Sequence, residues 1–202
     1  MKLYEFTQAP NPRRVRIFLA EKGITVPTEQ VNLASADNRK PEFVKRNPMG
    51  TLPVLELDDG TNLAESVAIC RYFEELHPEP NLMGKDAKEK AVIEMWQRRM
   101  ELEILMMTAG SFRNTSEFFK GRIPQVAEYG AICKSAALKR LEWLNSELAN
   151  REFIAGNRYT IADITGLVGI DFGRTTQIKI LPEQTNLQRW YNAVSSRPSA
   201  KA

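Results

Sequence analysis

The sequence predicts a small four-stranded α/β domain followed by an all-α helical domain. Three observations carry that reading. Residues 1–80 alternate strand and helix signals in the order βαβ-α-ββα. From Asp86 onward strand signals fade and helical periodicity dominates. The stretch His77-Pro78-Glu79-Pro80-Asn81 punctuates the chain between the two halves. The expected domains are therefore residues 1–80 and 86–202.

Residues 2–6 alternate Leu3 with Tyr4 and Phe6 and are short enough for a strand. Residues 13–22 place Val15, Phe18 and Leu19 on one helical face, with Gly23 as the C-terminal stop. Residues 26–33 read as a second strand, and a helix between two strands implies that they run parallel. Residues 41–46 form a short helix ended by Asn47-Pro48, because the residue before proline avoids the helical region. Residues 51–57 and 61–63 are two strands joined by the Asp58-Asp59-Gly60 turn. Residues 65–76 are helical, with Val67, Ile69, Cys70 and Phe73 as the apolar set.

The second half is expected to contain helices over 89–119, 125–149, 161–175 and 187–195. Thr160 and Asp163 have the spacing of a capping box, with Tyr159 and Ile164 as its hydrophobic staple. Arg197-Pro198 ends the last helix.

Composition narrows the function. Among 202 residues, 43% hydrophobic and 26% charged are ordinary globular values, and a net charge of +3 with interleaved signs gives nucleic-acid binding little support. No apolar run approaches the ~20 residues that span a bilayer. Glu5 interrupts the apolar core that a signal peptide would continue. Cys70 and Cys133 are far apart and His77 is the lone histidine, which argues against a zinc site or a histidine-based hydrolase. A cytoplasmic protein without metal, membrane or nucleic-acid partners is expected. Cys70 and Cys133 read as buried and inert, Tyr4 as core, and His77 as a solvated loop residue.

Four motifs carry chemistry or architecture: Asn11-Pro12-Arg13-Arg14-Val15-Arg16-Ile17, Asn47-Pro48-Met49-Gly50-Thr51-Leu52-Pro53-Val54-Leu55, Ala64-Glu65-Ser66-Val67-Ala68-Ile69, and Ala155-Gly156-Asn157 through Ala162-Asp163. In this order and spacing the chain resembles the glutathione S-transferase family, of the bacterial theta/nu-like cytosolic type. The resemblance covers nearly the whole chain. It implies a thioredoxin-like N-terminal domain that binds glutathione as co-substrate. It also implies a helical domain for a small hydrophobic electrophile, and a homodimer.

At a helix start, unpaired N–H groups and the positive dipole end favour a carboxylate, so Ser66 suits the γ-glutamyl carboxylate and Glu65 its ammonium. Both also read as ordinary capping residues. Pro53 cannot donate to a ladder. In the family it is cis, which leaves the Leu52 backbone free to pair with glutathione like an added strand. Arg39 and Lys40 could meet the glycyl carboxylate or be solvated loop charges.

The thiolate, not the thiol, is the nucleophile. Counting back from Val15, Ala9 stands where many members carry a Ser or Cys that stabilises it. Asn11 and Thr7 are the candidate donors, and Asn11 reads equally as a turn residue before Pro12. Met106, Phe112 and Arg113 are the candidate lining of the second-substrate pocket. The implied activity is glutathione conjugation. Glutathione-dependent disulfide or peroxide reduction, and glutathione binding without turnover, are the alternatives.

Overall fold

A computed structural model describes residues 1–202. The chain divides into two compact units, Met1–Leu82 together with Pro198–Ala202, and Met83–Arg197. The last five residues thus belong to the first unit rather than to the helical one.

In the first unit, strands β1 (Lys2–Glu5), β2 (Thr28–Gln30), β3 (Val54–Glu56) and β4 (Asn62–Ala64) form one sheet in the order β2-β1-β3-β4. β1 runs parallel to β2, whereas β3 is antiparallel to both β1 and β4. The parallel pair follows from the crossover helix α1 (Pro10–Glu21), and the antiparallel pair from the tight turn at Gly60, whose φ is +84°. α3 (Ser66–Leu76) packs against α1, burying Val15, Phe18, Leu19, Ile69, Cys70 and Phe73. A second cluster, Tyr4, Val31, Phe43, Leu52 and Val54, includes Phe43 from the short α2 (Pro41–Val44).

Several boundaries differ from the sequence pattern, among them β3, which spans Val54–Glu56 where 51–57 was expected. α1 begins at Pro10, because Pro10 and Pro12 fall in the first turn, where N–H groups have no intrahelical acceptor and proline costs nothing. β2 keeps only three exposed residues as an edge strand. Beyond it the chain turns at Asn32, whose Oδ1 accepts from Ala34 N at 2.8 Å. α3 begins at Ser66, since Glu65 has φ 66° and ψ 113°, outside the helical region.

The ends of α1 and α3 meet at a buried ion pair. The Lys22 and Glu74 side chains are 0% and 5% exposed and lie 2.7 Å apart. Lys22 Nζ also donates to the carbonyls of His77 at 2.7 Å and Pro80 at 2.9 Å. Glu74 Oε1 accepts from Asn81 Nδ2 at 2.8 Å and Leu82 N at 3.0 Å. The predicted linker is therefore held to the first unit by charge-assisted bonds.

The second unit contains α4 (Ala87–Arg99), a π-helical segment (Met100–Leu105), α5 (Met106–Thr115), α6 (Ala127–Glu147), α7 (Ile161–Gly173) and α8 (Thr185–Ser195). The helix expected over 89–119 is thus interrupted by the π segment and ends at Ser116, which caps a short 3₁₀ turn. α7 is buried on all sides from Ile161 to Ile170 and forms the centre of the unit.

α7 starts with the expected capping box. Asp163 Oδ2 accepts from Thr160 N at 2.9 Å, and Thr160 Oγ1 accepts from Ala162 N at 3.3 Å. Asp163 Oδ1 further accepts from Ile154 N at 2.9 Å and Trp190 Nε1 at 2.8 Å, tying α8 to the cap. Burial pushes the Asp163 carboxyl above its ordinary value, against the pull of these donors. Gly166 allows the close approach, since a Cβ there would meet Ile154 Cδ1 at 2.7 Å and Trp190 at 3.1 Å. No helix of the chain is long and apolar enough to cross a membrane.

Candidate glutathione site

The sheet register brings three of the sequence motifs to one end of the first unit. Val54 pairs with Tyr4 on one side and Ala64 on the other. Leu52-Pro53 therefore precedes β3 at the end where β4 runs out into Glu65-Ser66 and β1 runs out into the loop before α1. Neither strand nor helix continues past this edge, so backbone groups are left over there.

The Leu52-Pro53 peptide is cis. Leu52 is buried, and neither its N–H nor its C=O has a hydrogen-bond partner in the chain. It therefore presents one donor and one acceptor, as an unpaired strand edge does. Next to it, Glu65 occupies the left-handed half of backbone space at φ 66°. Its side chain is exposed and caps nothing. Ser66 is the first residue of α3 and 6% exposed, and its hydroxyl has no partner in the chain. The first turn of α3 holds no acidic residue, so its positive end is uncompensated.

The start of α1 has the same character. Its N-cap is Ala9, with no side-chain cap and no acid in the first turn. Asn11 is exposed, and its Oδ1 accepts from Arg14 Nη2 at 3.0 Å, leaving the Nδ2 donor with no partner in the chain. Thr7 is differently placed. Its N–H and hydroxyl both donate to Gln30 Oε1 at 3.0 Å, and its carbonyl accepts from Arg16 Nη2 at 2.9 Å.

The ring is closed by Glu5, 3% exposed, which pairs with Arg16 and accepts from Gln30 Nε2 at 2.8 Å. Glu5, Arg16 and Gln30 thus lock the loop between β1 and α1. Sequence reasoning gave none of the three this role. A carboxylate inside a four-residue strand was the available signal, because a buried acid needs a partner.

Arg39 and Lys40 are both exposed. Lys40 Nζ lies 2.8 Å from Asp37 Oδ1, which holds the Asp37 carboxyl below its ordinary value. Arg39 Nη1 reaches the Met49 carbonyl at 3.4 Å, beside Gly50 at φ +62°. Cys70 is fully buried, and burial pushes its thiol up to about 12, so it stays protonated at neutral pH. No group of three or more His, Cys, Asp and Glu side chains is placed to hold a metal ion.

In the second unit, Met106 and Arg113 are exposed on α5. Phe112 sits edge-on between Phe119 at 5.6 Å and Phe172 at 5.1 Å, so much of its ring serves an aromatic cluster.

Comparison with known proteins agrees with this geometry. The sequence matches the family model for the glutathione S-transferase N-terminal domain over residues 9–76 and that for the C-terminal domain over residues 97–198. It is 37% identical to glutathione S-transferase 2 of Saccharomyces cerevisiae across 100% of this chain and 88% of the yeast protein. The crystal structure of Gtt2 from the same yeast superimposes with a TM-score of 0.95 at 36% identity, covering 100% of this chain and 99% of that one. A glutathione S-transferase domain-containing protein of Marinobacter aquaeolei gives a TM-score of 0.95 at 37% identity, over 98% of this chain and 99% of its own. With both halves matched in sequence and the whole chain matched in structure, this protein belongs to the glutathione S-transferase family.

Proposed function

We propose that the protein conjugates glutathione to a small apolar electrophile. The observation that carries this reading is Glu65, an exposed carboxylate without a partner, held at φ 66° directly before the uncapped start of α3. Such a conformation costs about 1–3 kcal/mol and persists only where the surrounding structure imposes it. The cost is explained if the carboxylate is reserved for a ligand cation.

Glu65 then takes the γ-glutamyl ammonium, while Ser66 and the first N–H groups of α3 take its carboxylate. Leu52 pairs with the cysteinyl backbone by β-augmentation. Arg39 offers a cation for the glycyl carboxylate; Lys40 is already paired with Asp37.

The sulfur would lie at the start of α1, where the dipole and free N–H groups favour the thiolate. Thr7 has spent its one hydroxyl proton on Gln30, so Asn11 Nδ2 is the side-chain donor we assign to the sulfur. The thiol proton goes to solvent, the thiolate attacks the electrophile, a C–S bond forms, and the leaving group departs with its electron pair. Exposed Met106 and Arg113 on α5 are the side chains we assign to the second substrate. Following the habit of the family, the chain is expected to act as a cytosolic homodimer, which sedimentation velocity would check.

The test is glutathione titration of Glu65→Gln beside a chloro-dinitrobenzene conjugation assay. Affinity should fall at least about tenfold, the equivalent of one lost charge-assisted bond. Unchanged affinity would refute the charge-reading role of Glu65. Retention on immobilised glutathione without conjugation of any aryl halide would refute the transferase.

A further inference from the structure

The helical unit carries a second feature built for a ligand, apart from the glutathione motifs. Trp96 of α4 and Trp143 of α6 stack with ring centres 5.6 Å apart and planes 15° from parallel. Two guanidinium groups sit on this pair. Arg151 lies 4.3 Å from the centre of Trp96, and Arg99 lies 4.7 Å from Trp96 and 5.9 Å from Trp143. Beside them opens a groove of about 330 Å³, lined by Arg99, Glu103, Arg140, Trp143 and Glu147.

The charges of the groove do not balance. Glu103 is committed to Arg140 at 2.6 Å, and Glu147 is committed to Arg151. Glu101, two residues from Arg99, is taken by Arg98 at 2.7 Å. Arg99 has no carboxylate within salt-bridge distance and no hydrogen bond in the chain. The Trp143 indole N–H likewise has no acceptor in the chain. Repulsion between the two stacked cations is felt at Arg151, whose guanidinium lies below its ordinary value, first through burial and then through Arg99.

A surface arginine stacked on tryptophan is often packing alone. Here two further facts go beyond packing. The helix converts to a π segment, Met100–Leu105, immediately after Arg99, and π turns are rare and recur at functional sites. The same groove also joins a flat aromatic wall, an unneutralised planar cation and a spare N–H donor.

We propose that this groove binds a small planar aromatic anion, an arene carboxylate, with its ring against Trp143 and its carboxylate on Arg99. The planar fork of arginine matches a carboxylate in two parallel bonds. The volume sets the size limit at a small ligand of one or two rings.

The probe is 4-(trifluoromethyl)benzoate, read by ligand-detected ¹⁹F line broadening on the full-length protein, with 4-(trifluoromethyl)benzamide as its uncharged isostere. The acid should bind at least about tenfold more tightly than the amide, the equivalent of one charge-assisted contact. Binding should persist when S-hexylglutathione saturates the glutathione site, so failure here is separable from failure of the transferase reading. Arg99→Gln should weaken binding at least about fivefold, while Arg99→Lys, which keeps the charge but loses the planar fork, should fall between Arg99→Gln and the wild type. Far-UV circular dichroism establishes that each variant is folded, and Trp143→Leu supplies a second loss-of-binding variant should Arg99→Gln fail to fold. Equal binding of acid and amide, complete displacement by S-hexylglutathione, or wild-type binding by folded Arg99→Gln would each overturn the proposal.

Discussion

Replacing Glu65 by glycine and, separately, by alanine would show whether its backbone stores strain for the sake of binding. Glu65 sits at φ 66°, a region L-residues occupy at a cost of about 1–3 kcal/mol. Its side chain makes no contact that stabilises the fold, because it caps nothing and is exposed. Glu65→Ala keeps the strain and removes only the carboxylate, so stability should stay near that of the wild type. Glu65→Gly removes the strain but adds backbone freedom to the unfolded chain, a penalty of roughly 0.5–1 kcal/mol. Glycine should therefore be the more stable of the two by about 0.5–2 kcal/mol.

All three tryptophans, Trp96, Trp143 and Trp190, lie in the second unit, so intrinsic fluorescence is blind to this change. Amide hydrogen exchange over Ile69–Phe73 of α3 is the suitable measurement, and a gain of ~1 kcal/mol slows exchange about fivefold when reclosing is faster than the exchange step. Both variants should lose glutathione affinity together. If glycine gives no more protection than alanine, strain is absent; if either variant binds glutathione like the wild type, the strain serves something else.

Other consequences can be checked independently. Lys22→Met leaves the buried Glu74 carboxylate without its cation and should cost about 3–5 kcal/mol in urea unfolding followed by circular dichroism, while Lys22→Met with Glu74→Met should recover most of that loss. Ser66→Ala should weaken glutathione binding by roughly 1.5–3 kcal/mol in calorimetric titration without loss of thermal stability. Asn11→Ala should move the pH–rate profile of conjugation toward alkaline pH by about one to two pH units, since its amide would no longer support the thiolate. Asp163 is raised above its ordinary value, so protonation is easier in the folded than in the unfolded chain. Its contribution is then fully favourable below the unfolded value of about 3.9 and declines as the pH rises through the raised folded value. Asp163→Asn should remove that component of the pH dependence of the unfolding midpoint while lowering the midpoint itself.

Much of the first unit was legible because its elements are short and each is bounded by a strong signal. Asp58-Asp59-Gly60 marks the hairpin, Gly23 ends α1, and Asn47-Pro48 ends α2. The start of α1 was not legible from periodicity, since Pro10 and Asn11 bear no apolar phase and first-turn prolines look like loop. The π segment left no trace either: Met100 to Leu105 continues a helical composition, and one extra residue per turn is a matter of packing. At the candidate site, the motifs singled out Leu52, Pro53, Glu65 and Ser66, and the family resemblance implied a free Leu52 backbone. What composition could not reveal was that Gln30 consumes the Thr7 hydroxyl, because the two are 23 residues apart and meet only through the parallel pairing of β1 and β2. The positive φ of Glu65 was equally hidden, since nothing in the residue type announces it.

The return of residues 198–202 to the first unit has a consequence for synthesis. Arg13 Nη2 of α1 donates to the Ala200 carbonyl at 3.0 Å, and Ser199 Oγ bonds Glu21 at the other end of the same helix. The unit that begins at Met1 therefore lacks these contacts until residues 198–202 have been made, after every residue of the helical unit. A chain break after Arg197 acts on the crossover helix of the glutathione-type half and not on the segment it adjoins in sequence.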